Sequence, residues 1–176
     1  MRLVAIDPSL RATGWAVFED GRLVSCGIVK TAAGTTAEQA AREVAQRLKN
    51  DLDGAVAVIE RPQIYQGRRS KGDPNDLVGV ALVAGACAAW ADRAVFVLPH
   101  DWKGSIPKHA QLSRYIVHRR NEKALDDASC AVYRKCLAAW AAGLRHNLAD
   151  AVGIGLHAMR QGLLDIPCRA GVEVRG

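Results

Sequence analysis

The order of apolar segments predicts an α/β fold, with a mixed five-stranded sheet and helices on both of its faces. Three short apolar runs follow one another closely at residues 3–6, 14–18 and 23–29, which favours an antiparallel meander. Two later runs, at 55–59 and 94–98, each follow a segment of helical periodicity, as parallel strands joined by crossover helices do. The run at 55–59 is unbroken, which is typical of a strand buried on both faces.

Turn and capping residues mark where the first elements begin and end. The first run stops at Asp-Pro-Ser, and the second stops at Glu-Asp-Gly, which is a hairpin signal. A helix is predicted to begin at Thr35, with Glu38 completing a capping box three residues later, and to end near Asn50. Its apolar face is formed by Ala40, Val44 and Leu48.

The second half of the chain is predicted to be mainly helical. Asp76 is expected to cap a helix over residues 77–92, and residues 99–108 are expected to form a loop after the fifth strand. The remaining predicted helices span 109–140, with a weak break near Asn121, and 146–159.

Composition indicates an ordinary globular protein. A length of 176 residues favours a single domain over 1–176, in which residues 165–176 show no pattern and are expected to form a loose tail. With 49% apolar and 24% charged residues, disorder is excluded. A net charge of +6 favours a polyanionic partner only weakly.

The cysteines and the apolar runs indicate where the protein is expected to work. The five cysteines form no CxxC pair, and their odd number argues against a secreted disulfide framework. No apolar run reaches the roughly 18 residues that a membrane helix needs. The N-terminus turns acidic within seven residues, unlike a signal peptide. We therefore expect a soluble protein in a reducing, cytoplasmic compartment.

Three acids adjoin apolar runs and are candidates for chemistry. Asp7 follows the first strand, Glu60 follows the buried strand, and Asp150 lies within an otherwise small and apolar helix. An acid in such a position often does no more than cap a helix or form a turn. A carboxylate beside a fully buried strand, however, usually needs a partner.

The last helix brings further polar groups to the side of Asp150. His146 and Asn147 lie four and three residues before it, on the same helical face. Oxygen-rich ligands from separate elements form a site for a hard cation such as Mg²⁺ or Mn²⁺, and two such ions promote phosphodiester hydrolysis. The alternatives are that His146 is an ordinary residue at the helix start and that Asn147 is an N-cap.

Four motifs, AIDPSLRATGWAV, AVIERP, PHDWKGSIPK and LADAVGIGLHA, occur in this order. With them the chain resembles the RuvC family of Holliday-junction resolvases over residues 2–160, and is most similar to its phage and prophage branch. The resemblance implies an RNase H-like fold and a homodimer that nicks two strands of a four-way DNA junction symmetrically. It also implies two divalent ions, no nucleotide cofactor, no membrane association, and a bacterial or phage-infected bacterial cell.

The resemblance also implies roles for individual residues. Asp7 would bridge the two metal ions, Glu60 would be the second ligand and Asp150 the last. Family members usually have Asp or His three residues before the final Asp, where this chain has Asn147. Either His146 substitutes for it or one metal ion is bound weakly. An attenuated or non-cleaving protein that binds branched DNA therefore remains the alternative function.

Basic residues in two loops are expected to meet the DNA. A lysine near the scissile phosphate can neutralise charge in the transition state, and Lys103 and Lys108 are equal candidates for it; the ordinary alternative is a solvated surface lysine. Tyr65 is expected either to stack on an unpaired base or to pack within the protein. The expected contacts with the DNA backbone are Arg11, Thr13, Arg68, Arg69 and Lys71.

Two other classes of protein begin with a similar strand, Asp and turn. Actin-like nucleotide-binding proteins have two lobes, for which this chain is too short. RNA-processing relatives tend to have an apolar-Gly-Leu-Pro segment where this chain has Ile-Glu-Arg-Pro, so Glu60 argues against them. The helix over 77–92, with small residues on several faces, is the expected dimer interface.

Overall fold

A computed structural model describes residues 1–63, 74–104 and 110–163. Within these residues, three strands are followed by a helix, a strand, a helix, a strand and four helices. The sequence predicts the same order of elements as far as the fifth strand, but only two helices after it. The strands are β1 (Arg2–Asp7), β2 (Ala12–Glu19), β3 (Arg22–Lys30), β4 (Val56–Glu60) and β5 (Arg93–Val97). The helices are α1 (Ala37–Leu52), α2 (Pro74–Ala88), α3 (Pro99–Lys103), α4 (Ala110–Ala124), α5 (Asp127–Ala138) and α6 (Arg145–Arg160).

The five strands form one mixed sheet in the order β3-β2-β1-β4-β5. The first three pair antiparallel as a meander, whereas β4 pairs parallel with both β1 and β5. The predicted mixed sheet is therefore confirmed. Its two central strands, β1 and β4, both end at the same edge of the sheet, and each ends at an acidic residue.

The sheet separates two apolar layers, because alternate side chains of a strand point to opposite faces. On one face Leu3 and Val58 pack with α5 and α6. On the other face Val4 and Ile59 pack with α1 and α2. The protein has helices on both faces, as the unbroken apolar run of β4 predicts.

The start of α1 lies one residue later than predicted. Its N-cap is Thr36, whose side chain accepts from the backbone of Gln39 while the Gln39 side chain accepts from the backbone of Thr36. Thr35 and Glu38 fit the same sequence pattern, but the Thr35 hydroxyl donates instead to the carbonyl of Ala32. The predicted apolar face, Ala40, Val44 and Leu48, is buried as expected.

Three predictions for the second half of the chain are wrong in detail. The helix predicted over 77–92 begins at Pro74, so Asp76 lies within its first turn. The predicted loop over 99–108 begins with a short helix, α3, which has Pro at its first position. The break in the helical region falls between α4 and α5, and Asn121 is buried inside α4.

The structure describes four of the five cysteines. Cys26, Cys87, Cys130 and Cys136 are free cysteines, and Cys168 lies outside the described residues. In the part of the chain that the structure describes, no helix is both long enough and apolar enough to cross a membrane. The predicted tail at 165–176 also lies outside the described residues.

Candidate active site

Strand register brings the first two acids together. β1 and β4 are paired as far as Ile6 and Ile59, so Asp7 and Glu60 are the next residues along two neighbouring strands. Alternation places both side chains on the face that α6 covers, because Ala5 and Val58, two residues earlier, pack on that face. The two carboxylates thus meet at one edge of the sheet, beneath the last helix.

A close approach of α6 to β2 brings the third acid to the same place. A Cβ on Gly14 would lie 2.0 Å from the main-chain oxygen of Asn147, so only glycine leaves room for the helix there. Gly14 is the partner of Asp7 in the β1–β2 ladder. Asp150, one turn further along α6, therefore lies beside the end of β1, and its charge acts on both Asp7 and Glu60.

Lys103 provides the positive charge of the site. Its Nζ lies 3.0 Å from Oδ2 of Asp150 and 3.6 Å from Oε2 of Glu60. The same ammonium lies 4.5 Å from the centre of the Trp102 ring. Lys103 is the last residue of α3, and its side chain is about one-third exposed. It can therefore face both the carboxylates and a ligand that approaches from solvent.

Burial and mutual repulsion disfavour the charged carboxylates. Burial raises the pKa of Asp7 well above its ordinary value, and the charges of Glu60 and Asp150 raise it further, while Lys103 lowers it. The pKa of Glu60 is raised chiefly by burial, against the opposing effects of Lys103 and of a hydrogen bond from Trp102. A cation placed among these groups would relieve their repulsion.

The ammonium of Lys103 is held in its charged form. Burial alone would lower the pKa of Lys103, but attraction to Asp150, Glu60 and Asp7 outweighs burial and raises the pKa above its ordinary value. Among the described residues, the site therefore combines three carboxyl groups with the positive charge of Lys103 at neutral pH.

The donor set fits a hard divalent cation. Asp7, Glu60 and Asp150 offer carboxylate oxygens, which Mg²⁺ and Mn²⁺ prefer, and their mutual repulsion favours a cation between them. Among the described residues, however, no group of three or more His, Cys, Asp and Glu side chains is close enough together to hold a metal ion. The Lys103 ammonium, bonded to two of the carboxylates, balances their charge in this arrangement.

Asn147 and His146, the two polar residues that precede Asp150 on α6, make different contacts. Asn147 donates from its amide Nδ2 to the carbonyl of Ala12 over 2.7 Å, which ties α6 to the start of β2. It is not the N-cap of α6, since that position is Leu144. His146 lines a cleft of about 290 Å³ between α4 and α6, together with Tyr115, His118 and Leu137. Metal ligation by Asn147 or His146 stays a prediction.

The two predicted DNA contacts after Asp7 differ in exposure. Arg11 is exposed, and its guanidinium donates to the carbonyl of Ala32 over 2.8 Å. Thr13 is fully buried, and its hydroxyl donates to the carbonyl of Ser9. A direct contact of Thr13 with DNA is therefore corrected to a role in shaping the turn after β1. The other predicted contacts, Tyr65, Arg68, Arg69, Lys71 and Lys108, lie outside the described residues.

Sequence reasoning missed three residues that support the site. Trp102 donates from Nε1 to Oε2 of Glu60 over 2.7 Å. Arg120 donates to the carbonyls of Trp102 and Lys103, at the C-terminal end of α3. Asn121 donates to the carbonyl of Ala149 over 2.7 Å. The motif PHDWKGSIPK contains Trp102, but no signal in the sequence indicated that its hydrogen-bond partner is Glu60.

The sheet order, the helical layers and the acids at the strand ends define an RNase H-like fold. A comparison of the sequence with known protein families finds no match, and a comparison with curated proteins finds none either. Solved structures do match, and several of them are Holliday-junction resolvases. At the identities given below, this similarity establishes the fold.

The matching structures cover nearly the whole chain. RuvC of T. thermophilus, in complex with its Holliday junction substrate, has a TM-score of 0.64 at 18% identity, covering 94% of this chain and 97% of that one. The yeast mitochondrial Holliday junction resolvase has a TM-score of 0.56 at 12% identity, covering 93% and 81%. The fowlpox virus resolvase, in complex with Holliday junction DNA, has a TM-score of 0.53 at 13% identity, covering 89% and 99%.

Proposed function

We propose that this protein is a divalent-metal-dependent endodeoxyribonuclease that resolves four-way or branched DNA by paired, symmetric nicks. The observation that carries the proposal is the convergence of Asp7, Glu60 and Asp150 around Lys103 on a fold that junction resolvases share. A cytoplasmic role in a bacterial or phage-infected bacterial cell is part of the same proposal.

The carboxylates of Asp7, Glu60 and Asp150 would hold two Mg²⁺ ions, for which Mn²⁺ would substitute. When bound, such a pair of ions activates a water molecule and stabilises the leaving oxygen of a phosphodiester. Repulsion among the three carboxylates favours cation binding, because their charges are buried next to one another. Asp7 and Glu60 end two neighbouring strands, so their main chains would be held in place before the ions bind. Their side chains would have to close on the ions, since in this arrangement they are too far apart to hold a metal.

Lys103 would act on the phosphate. Its ammonium is charged at neutral pH and is about one-third exposed at the edge of the carboxylate cluster. A fixed positive charge beside the scissile phosphate stabilises the negative charge that builds up in the transition state. We therefore assign the catalytic lysine to Lys103 on the basis of its ion pairs with Asp150 and Glu60. Lys108, the other candidate, lies outside the described residues.

A homodimer would place two such sites on the two strands of a junction. A two-fold symmetric substrate that is cut twice matches a two-fold symmetric enzyme. On α2, Val78 is 62% exposed and Leu82 is 41% exposed, and both lie on one helical stripe. We assign the dimer interface to this stripe, in agreement with the interface expected from the sequence.

The second candidate function is a protein that holds branched DNA without cutting it efficiently. The observation that favours it is Asn147, whose amide bonds to Ala12 and brings no negative charge to the site. If the site is attenuated by this residue, Asn147→Asp will raise the cleavage rate at constant junction affinity. If Asn147 serves mainly to hold α6 on β2, Asn147→Asp will lower stability, because a carboxylate would face the Ala12 carbonyl, and cleavage will not rise.

The proposal is tested by incubating the purified protein with an end-labelled four-way junction and with the matched linear duplex. Mg²⁺, Mn²⁺ and EDTA are compared under otherwise identical conditions. The proposal predicts symmetric nicks in the junction alone, abolished by EDTA. Tight binding to the junction without nicks in either metal would favour the second candidate, and equal treatment of junction and duplex would contradict both.

A further inference from the structure

Trp102 lies between the candidate site and the helix that carries Asp150. Its side chain is only 3% exposed, and its indole Nε1 donates to Oε2 of Glu60 over 2.7 Å. The ammonium of Lys103 lies 3.6 Å from the same oxygen. One oxygen of Glu60 is therefore held by two donors, a neutral N–H from a buried ring and a charged group on a flexible side chain.

Direct contact with α6 fixes the orientation of the Trp102 ring. A Cβ on Gly153 would lie 2.8 Å from Cζ3 of Trp102, so the ring rests on the helix backbone where a side chain would otherwise stand. Gly153 lies three residues after Asp150, on the same side of α6. The ring that orients Glu60 is thus seated on the helix that carries Asp150.

The main chain at Trp102 is held as firmly as its ring. Arg120 donates to the carbonyl of Lys103 over 3.1 Å and to that of Trp102 over 3.2 Å. Both carbonyls at the C-terminal end of α3 therefore have a hydrogen-bond donor. Asn121, the next residue of α4, donates to the carbonyl of Ala149 on α6. Helices α3, α4 and α6 are therefore linked by hydrogen bonds around Trp102.

We propose that Trp102 is a positioning residue of the active site, whose indole N–H fixes the Glu60 carboxylate for metal binding. This inference rests on the proposed function, in which Glu60 is a metal ligand and Lys103 turns toward the phosphate. When Lys103 turns away, Trp102 would still hold Glu60, because its ring is buried and packed against Gly153. A hydrogen bond of this kind orients a ligand and raises its affinity for the metal.

Trp102→Phe is the direct test, because it keeps an aromatic ring and removes the N–H donor. We expect Mn²⁺ binding to the protein without DNA, followed by titration calorimetry, to weaken about 10- to 100-fold. In cleavage of a four-way junction, the kcat of this variant should fall with little change in its KM. The matched control is Trp15→Phe, since Trp15 is a partly buried tryptophan packed in the apolar layer of the opposite face; it should bind Mn²⁺ as the wild type does.

Gly153→Ala is an independent test that keeps the indole. Alanine is the better helix former, but its methyl group would displace the Trp102 ring from Glu60. Because overpacking a buried ring is destabilising, we expect some loss of thermal stability as well as weaker Mn²⁺ binding. Gly155→Ala overpacks α6 against Phe18 instead and should lose stability without losing Mn²⁺ affinity, which separates positioning by Trp102 from a general structural role. A further control is Gly143→Ala, at an exposed position where a Cβ would meet nothing within 4 Å.

The outcomes separate this inference from the proposed function. Wild-type Mn²⁺ affinity and kcat in Trp102→Phe would overturn the inference, and if that variant does not fold, the same result in Gly153→Ala would overturn it. A wild-type protein that neither binds Mn²⁺ nor cuts junctions would instead contradict the proposed function.

Discussion

The two faces of the sheet are packed in different ways. On the face that α6 covers, helix and sheet approach each other through glycine: a Cβ on Gly155 would lie 2.2 Å from Phe18, and one on Gly14 would meet the main chain of α6. On the face that α1 and α2 cover, the layer is formed by aliphatic and small side chains such as Val44 and Val83. A Cβ on Gly79 of α2 would meet the end of the flexible Leu10 side chain at 2.9 Å rather than main chain or an aromatic ring, and α2 leaves Leu82 exposed.

This difference matches what each face is proposed to do. Positioned charges need a rigid support, and the glycine contacts of α6 leave little freedom of movement around Asp150. A surface that packs against a second protein needs exposed apolar side chains instead, and the α2 stripe provides them. The α6 face should therefore be sensitive to small changes in shape, and the α2 stripe to changes in polarity.

The largest effect is expected from Asp7→Asn on the α6 face. Cleavage of the four-way junction should fall by about 10²–10³-fold or more, because the site loses a charge that would bind the metal. The free protein should become more stable at neutral pH, since a carboxyl whose pKa is raised on folding is destabilising when ionised. Binding to the junction in EDTA should be retained. Cleavage assays, thermal unfolding and junction binding in EDTA measure the three quantities. Normal cleavage by this variant would refute the assigned site.

The next effect compares one change at a buried glycine of α6 and at an exposed glycine of α2. Gly155→Ala should destabilise the protein by about 1–3 kcal/mol, because its methyl group would overlap the Phe18 ring. Gly85→Ala, at an exposed position where a Cβ would meet nothing within 4 Å, should leave stability unchanged or raise it by about 0.5–1 kcal/mol. Urea unfolding of both variants makes the comparison. Equal stabilities would show that the contact with Phe18 does not limit the volume at residue 155.

The next smaller effect is expected from Leu82→Glu, which changes the polarity of the α2 stripe instead of its volume. We expect the dimer to dissociate at concentrations where the wild type is dimeric, with the thermal stability of the protomer nearly unchanged. Sedimentation velocity measures the change. Val24→Glu is the matched control, since Val24 is 43% exposed, close to the 41% of Leu82, but lies on the edge strand β3. Dissociation caused by the control, or none caused by Leu82→Glu, would place the interface elsewhere.

The smallest effect on stability is expected from Lys103→Ala. The pKa of Lys103 is raised on folding, so its charge stabilises the protein throughout the pH range below its unfolded pKa. Because this side chain is about one-third exposed, its removal should cost about 1 kcal/mol, or roughly 2–4 °C in melting temperature. Added Mg²⁺ should raise the melting temperature more in this variant than in the wild type, as it replaces the lost cation. An unchanged melting temperature would show that Lys103 does not balance the carboxylates.

The positions of two of the three acids follow from the alternation of side chains along a strand. Asp7 and Glu60 each end an apolar run, so the sequence alone predicts that they lie at the same edge of a parallel pair of strands. The third acid is harder to place. Its position beside them requires glycine at residue 14. The main chain of Asn147, which is 133 positions away in the sequence, leaves no room there for a Cβ.

The errors have physical causes of the same kind. Thr35-Glu38 and Thr36-Gln39 both fit a capping box, and the choice depends on the contact of Thr35 with Ala32. Asn121 suggested a helix break because Asn forms helices poorly, yet its amide is buried against α6. The role of Trp102 depends on Glu60, 42 residues away in the sequence. Local patterns predicted the elements, and contacts between distant segments decided the details.

The central claim, paired and metal-dependent resolution at the site of Asp7, is tested most directly with a supercoiled plasmid that extrudes a cruciform. Two nicks made within the lifetime of one complex convert it to linear DNA, whereas a single nick gives an open circle. We predict linear product in Mg²⁺ or Mn²⁺, none in EDTA and none with Asp7→Asn. Open circles alone, or linear product that persists with Asp7→Asn, would contradict the account.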